Sequence, residues 1–80
     1  MKTEEVRFLS SYGMVGIVVT SPRIYLRFVD DKYSIYGSEG AKIALQEYLL
    51  SLSDKFAQCK VGRVEQVDKN MFMSKLVKIA

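Results

Sequence analysis

Residues 23–29 alternate between apolar and other side chains, and this stretch constrains the fold of the 80-residue chain more than any other. Every second residue from Ile24 to Phe28 is apolar, so these side chains share one face of an extended strand. Pro22 stands just before the stretch and ends the apolar run that precedes it, because proline has no backbone N–H to donate. The pattern predicts a strand with one buried face.

The next residues are typical of a β-hairpin. A two-residue turn at Asp30 and Asp31 would place Leu26 opposite Ile35, so that apolar side chains meet on the buried face. Aspartate tolerates the left-handed backbone conformation that tight hairpin turns require. The sequence therefore predicts a further strand over residues 32–36.

Two earlier stretches also predict strands. Residues 6–9 and 14–20 are rich in β-branched and aromatic side chains and are separated by a turn-like segment that ends at Gly13. Short connections throughout make the first half a four-stranded antiparallel meander. Its inward-facing apolar residues would include Val6, Phe8, Val15, Ile17 and Val19.

A long helix should follow the meander. Ser38 is a good N-cap, and Glu39 suits the positive end of the helix dipole. Apolar side chains then recur at helical spacing and form one stripe against the sheet, namely Ala41, Leu45, Tyr48, Leu49, Leu52 and Phe56. The predicted class is α+β, with the four-stranded meander packed on one long helix in a single domain over residues 1–80.

The last third is expected to hold a short strand, a C-terminal amphipathic helix, or both. Residues 61–67 read as the strand. In residues 68–80, Phe72, Leu76 and Ile79 recur at i, i+4 and i+7, which favours a helix capped by Asp68 over another strand.

The residue inventory argues against catalysis and metal binding. The chain has no histidine, and the single Cys59 has no second thiol to form a disulfide or a zinc site. Asp30 and Asp31 suit a turn better than a metal pair. Residues 37–42 run from a strand into a helix like a phosphate loop, but they lack its spacing and place Glu39 where the anion would sit. We expect a non-enzyme without cofactor or metal.

The sequence also lacks a signal-like start and an apolar run long enough to cross a bilayer, so a cytoplasmic protein is expected. Its charge is uneven, since residues 55–80 contain six basic and two acidic residues, a net charge of +4. Such a basic segment suits contact with phosphates or with an acidic partner.

The outer sheet face, away from the helix, is the candidate binding surface. Tyr25 and Tyr36 would face each other across the hairpin, with cations around them, and Gly16 would leave a gap where a base could approach. This combination favours single-stranded nucleic acid, bound as a homodimer. The predicted nucleic-acid site comprises Arg7, Arg23, Tyr25, Arg27, Lys32 and Tyr36.

Two alternatives stay open for the same surface. The outer face is half apolar, so the C-terminal segment could fold back and cover it. Otherwise the chain could be a protein-interaction or assembly module, a small regulator or inhibitor, that uses this face or the helix face opposite the core. The predicted dimer or partner interface comprises Leu9, Val18, Ile43 and Leu50.

Overall fold

The first three strands form where the sequence predicts them. The computed structural model describes residues 4–52 and 59–78, and it begins with β1 (Val6–Ser10), β2 (Gly13–Thr20) and β3 (Arg23–Phe28). These strands pair as an antiparallel meander. Gly13 closes the β1–β2 turn at a φ of 82°, a conformation that glycine adopts without steric cost.

The predicted fourth strand is wrong. Residues Asp31–Tyr36 form a 3₁₀-helix, because the Asp30 side chain accepts a hydrogen bond from the backbone N–H of Lys32 at 3.1 Å and so caps a helical turn. Ile35, which the hairpin would have buried against Leu26, is 81% exposed. The same aspartate can begin a hairpin turn or cap a helix, and here it caps a helix.

The predicted helix forms as α1 (Gly37–Ser51). Gly37 has a φ of 61° and joins the 3₁₀-helix directly to α1, so Tyr36 rather than Ser38 occupies the N-cap position. The predicted stripe is confirmed from Ala41 to Leu49, while Phe56 lies outside the described residues. Glu47 ties α1 to the β1–β2 turn, since its carboxylate accepts hydrogen bonds from the Ser11 backbone N–H at 2.8 Å and from the Ser11 hydroxyl.

The predicted C-terminal helix is also wrong, because β6 (Met71–Lys78) is a strand inside the sheet. On one side β6 pairs with β3, and on the other it pairs with β4 (Cys59–Val61) and β5 (Glu65–Asp68), all antiparallel. The single strand predicted over residues 61–67 is therefore two short ones. The strand order is β1, β2, β3, β6, β4, with β5 also paired to β6.

The core lies between α1 and the inner face of this sheet. Phe72 of β6 faces Leu26 of β3 and is fully buried, with its ring edge-to-face against Phe28 at a centroid distance of 5.6 Å. The core otherwise contains the predicted inward residues of β2 and β3 and the α1 stripe, with Phe8, Val19 and Leu52 packed at its margin. Val6, predicted inward, is 46% exposed at the edge strand.

Candidate binding surface on the outer sheet face

Among the described residues, no helix or strand packs across the outer face of the sheet, opposite α1. Residues 71–78, which could have formed a lid over this face, lie in the plane of the sheet and widen it. Strand alternation and register assign one side chain in two to this face. The outer-face residues are Arg7, Leu9, Met14, Gly16, Val18, Thr20, Arg23, Tyr25, Arg27, Lys60, Glu65, Asp68, Met71, Met73, Lys75 and Val77.

Tyr25 lies near the centre of the outer face. Its neighbours across the strands are Val18 on β2 and Met73 on β6, and all three side chains are half-buried. Arg23 and Arg27 stand two residues away on the same strand and therefore on the same side of the sheet. The outer face therefore presents the phenol ring of Tyr25 with an arginine on either side of the ring along β3.

Arg23 and Lys75 stand directly opposite each other on β3 and β6. Both are exposed, and neither forms a salt bridge with any of the described residues. Like charges at directly opposed positions destabilise a sheet. We call this pair the basic end of the outer face, and its repulsion is a cost to the fold that a bound anion would relieve.

At the other end of β3 the cations are neutralised by Glu5. Its carboxylate pairs with Arg27 (Nη2 to Oε1, 2.9 Å) and lies within 3.9 Å of the Arg7 Nε. The same carboxylate lies over Gly16, in the space that a side chain there would fill. The gap at Gly16 predicted to admit a base is therefore occupied by Glu5, and the prediction of an open gap is wrong.

The acidic residues of β5 add negative charge to the outer face away from the basic end. Asp68 pairs with Met71, beside Arg27, and Glu65 pairs with Met73, beside Tyr25. The row that contains Arg23 and Lys75 has no acidic residue in its register among the described strands. The outer face therefore runs from a balanced end to a basic end.

Two of the predicted nucleic-acid residues lie elsewhere. Lys32 and Tyr36 belong to the 3₁₀-helix, so the expected cross-strand pair of Tyr25 with Tyr36 does not exist. Tyr36 instead packs against Tyr12 at a centroid distance of 5.0 Å and stacks on Tyr33 at 6.4 Å. The structure brings together four of the six predicted residues, Arg7, Arg23, Tyr25 and Arg27.

The predicted partner-interface residues divide between two surfaces. Leu9 and Val18 lie on the outer face, where Leu9 is 70% exposed and Val18 is half-buried. Leu50 is 85% exposed on α1, and Ile43 is half-buried two turns before it. The two pairs cannot belong to one contiguous patch, because α1 lies on the inner side of the sheet.

Sequence reasoning missed the contribution of β6. Met71, Met73, Lys75 and Val77 point outward, and Phe72 and Ser74 are buried between them. The period-two pattern was present in the sequence, but Ser74 at an inward position concealed it. The helical spacing of Phe72, Leu76 and Ile79 then favours a helix.

Metal-ligating side chains do not cluster in the described parts of the chain. Residues 4–52 and 59–78 contain no group of three or more potential metal-ligating side chains. Asp31 accepts a hydrogen bond from the Asn70 side chain and Asp30 caps the 3₁₀-helix, so both aspartates have structural partners. Within the same residues, no helix has the length and hydropathy of a membrane span.

The outer face is characterised by the chemistry of its side chains. It is an open antiparallel sheet face with one central tyrosine, a band of methionine and aliphatic side chains, and cations concentrated at one end. Comparison of the chain with protein-family models, with curated proteins and with solved structures gives no match.

Proposed function

We propose that this chain is a non-catalytic module that binds single-stranded nucleic acid on the outer face of its sheet. The observation that carries the proposal is the unpaired basic end, Arg23 opposite Lys75, directly beside Tyr25. Tyrosine offers a stacking surface to any base, and the two cations offer phosphate contacts on one side of it.

The structure changes which cations should matter for this function. Arg27 and Arg7 already share the Glu5 carboxylate, so a phosphate would have to displace that carboxylate to reach them. Arg23 and Lys75 have no such competitor among the described residues. We therefore assign the principal phosphate contacts to the basic end and a smaller role to Arg27.

Replacing Tyr25 with alanine should weaken oligonucleotide binding. Loss of one base–aromatic stack costs about 1–3 kcal/mol, which corresponds to a roughly 5- to 150-fold increase in Kd. Fluorescence anisotropy with labelled single-stranded DNA and RNA measures the change. Tyr36→Ala is the matched control, because Tyr36 is 50% exposed but lies off the outer face.

The two variants separate the proposal from its rivals. Equal losses for Tyr25→Ala and Tyr36→Ala, in proteins with unchanged circular dichroism, would show that the outer face is not the binding surface. Absence of binding by the unmodified chain at micromolar concentration and low salt would overturn the proposed function itself.

The apolar part of the outer face favours a second candidate, self-association of two copies through their sheets. Leu9, Met14 and Val77 are 70%, 38% and 40% exposed, and Met71 and Met73 on the same face are half-buried. Methionine side chains adapt readily to a facing surface. The face also carries both signs of charge, Glu5 and Glu65 as well as the arginines, which an isologous contact between two copies could pair.

Leu9→Glu should abolish such a dimer, because it would bury a charge in the contact between the two sheets. Sedimentation equilibrium over a range of protein concentrations measures the association. Leu50→Glu is the comparison, since Leu50 is 85% exposed on the opposite side of the molecule. A dimer that survives Leu9→Glu and is lost in Leu50→Glu would place the interface on α1 and leave the outer face free for nucleic acid.

A further inference from the structure

We infer that a bound single strand continues past the basic end, over the β4 edge of the sheet, into a cleft between α1 and the β4–β5 connection. The inference rests on the proposed function and adds to it the route and the length of the nucleic acid. Its evidence is a row of cations that runs from β3 across β6 and ends in this cleft.

The row follows from the hydrogen bonds between strands. Arg23 of β3 faces Lys75 of β6, and the Lys75 carbonyl accepts a hydrogen bond from the Gly62 backbone N–H at 2.9 Å. Gly62 tolerates this approach because it lacks a side chain, whose Cβ would lie 3.0 Å from that carbonyl oxygen. The next residue is the exposed Arg63. Arg23 and Lys75 thus stand on adjacent strands, about 5 Å apart in backbone spacing, and Arg63 directly follows the residue that is hydrogen-bonded to Lys75.

The cleft begins where this row reaches the edge. It has a volume of about 860 Å³ and is open to solvent. Lys42 of α1 and Lys60 and Arg63 of the other wall line it, together with a single acidic residue, Glu39. None of the three cations forms a salt bridge with a described residue. The cleft therefore carries a local surplus of two positive charges directly beyond Lys75.

The chemistry of the cleft suits a phosphate backbone better than a base or an apolar ligand. Its uncharged lining consists of Ser38 and Gln46 on α1 and of Val61, Gly62 and Val64 on the other wall, with no aromatic side chain. A second cleft of about 460 Å³, between the β1–β2 side of the sheet and the end of α1, contains Glu4 and no cation. The first cleft therefore has the positive charge that attracts a polyanion, and the second does not. Of the two, only the first continues the row of cations.

This route makes a prediction about length. A short oligonucleotide of about 4 nucleotides should occupy Tyr25 and the basic end alone, whereas one of about 16 should also reach the cleft, in line with the range of site sizes in single-strand-binding domains. The longer strand should therefore bind more tightly and show a steeper dependence on salt, because it neutralises more phosphates.

The test is the double substitution Lys42→Glu with Arg63→Glu, measured by anisotropy with thymidine and uridine oligonucleotides of both lengths. We expect the Kd for the long strands to rise tenfold or more at about 0.1 M salt, since two phosphate contacts are removed, and the Kd for the short strands to change by less than about twofold. Lys32→Glu with Lys69→Glu is the control for net charge, because these residues lie at the other end of β3, away from the row.

Each outcome decides one question. Equal effects on both lengths, or no effect on the long strands, overturns the inference while the proposed function stands. Binding of neither length by the unmodified chain overturns both. Amide shifts of Lys42, Val61 and Gly62 in ¹H–¹⁵N spectra give an independent measurement. They should move with the long strands only, and movement with the short strands as well would contradict the route.

Discussion

Phe72→Ala should destabilise the protein by about 3–5 kcal/mol, the usual cost of removing a fully buried phenylalanine. Phe72 is 0% exposed, faces Leu26 across the β3–β6 pair and packs edge-to-face on Phe28. An 80-residue domain has a total free energy of unfolding of about 4–12 kcal/mol, so the substitution removes a large fraction of that stability. Urea denaturation followed by far-UV circular dichroism measures the loss.

Ile35→Ala is the decisive comparison for this prediction. The hairpin predicted from the sequence would bury Ile35 against Leu26, but in the structure Phe72 occupies that place and Ile35 is 81% exposed. We expect Ile35→Ala to change stability by no more than about 0.5 kcal/mol. Phe72→Leu, which keeps most of the buried volume, provides a folded variant for quantitative comparison. Similar losses for Ile35→Ala and Phe72→Ala would contradict the sheet order reported above.

Lys75→Glu should have opposite effects on stability and on nucleic-acid binding. The substitution converts the repulsive Arg23–Lys75 pair into an attractive one, worth about 0.2–1 kcal/mol of added stability for a cross-strand pair. It also removes one phosphate contact and occupies Arg23, the second. Two lost contacts lower the salt slope of single-strand binding by about 1.4, or roughly 25-fold in affinity between 1 M and 0.1 M salt.

Lys32→Glu is the matched control, since it changes the net charge by the same amount at a residue off the outer face. Its affinity should fall much less than that of Lys75→Glu at the same salt concentration. Thermal unfolding and anisotropy, measured on the same samples, test the two effects together. If Lys75→Glu left the affinity unchanged while stabilising the fold, the basic end would not be the phosphate site and the proposed function would lose its main support.

Arg27 shows that a side chain of the right chemical type for a phosphate contact can already be paired within the protein. The sequence predicts Arg27 as one of the cations that surround Tyr25 in the nucleic-acid site. In the structure, Glu5 lies over Gly16 and holds Arg27 at 2.9 Å. Glu5 and Arg27 are 22 positions apart, and a local pattern carries no information about a charge that approaches from a distant part of the chain.

The sequence by itself determined the local elements whose signals are strong. Alternation from Ile24 to Phe28 specified β3 and its buried face, and helical spacing from Ala41 to Leu49 specified the buried side of α1. These patterns are reliable because burial of one face repeats with the period of the element itself. The class α+β followed from them.

Only the tertiary structure decided which segment pairs with the free edge of β3. The apolar residues of both segment 32–36 and segment 71–76 could pair with that edge, and Phe72 fills the site with the larger buried side chain. The choice depends on the competition between two distant segments for one set of hydrogen bonds, so neither segment reveals it alone. It also placed Lys75 opposite Arg23 and left the outer face open, because a chain segment that joins the sheet as a strand cannot at the same time lie across it.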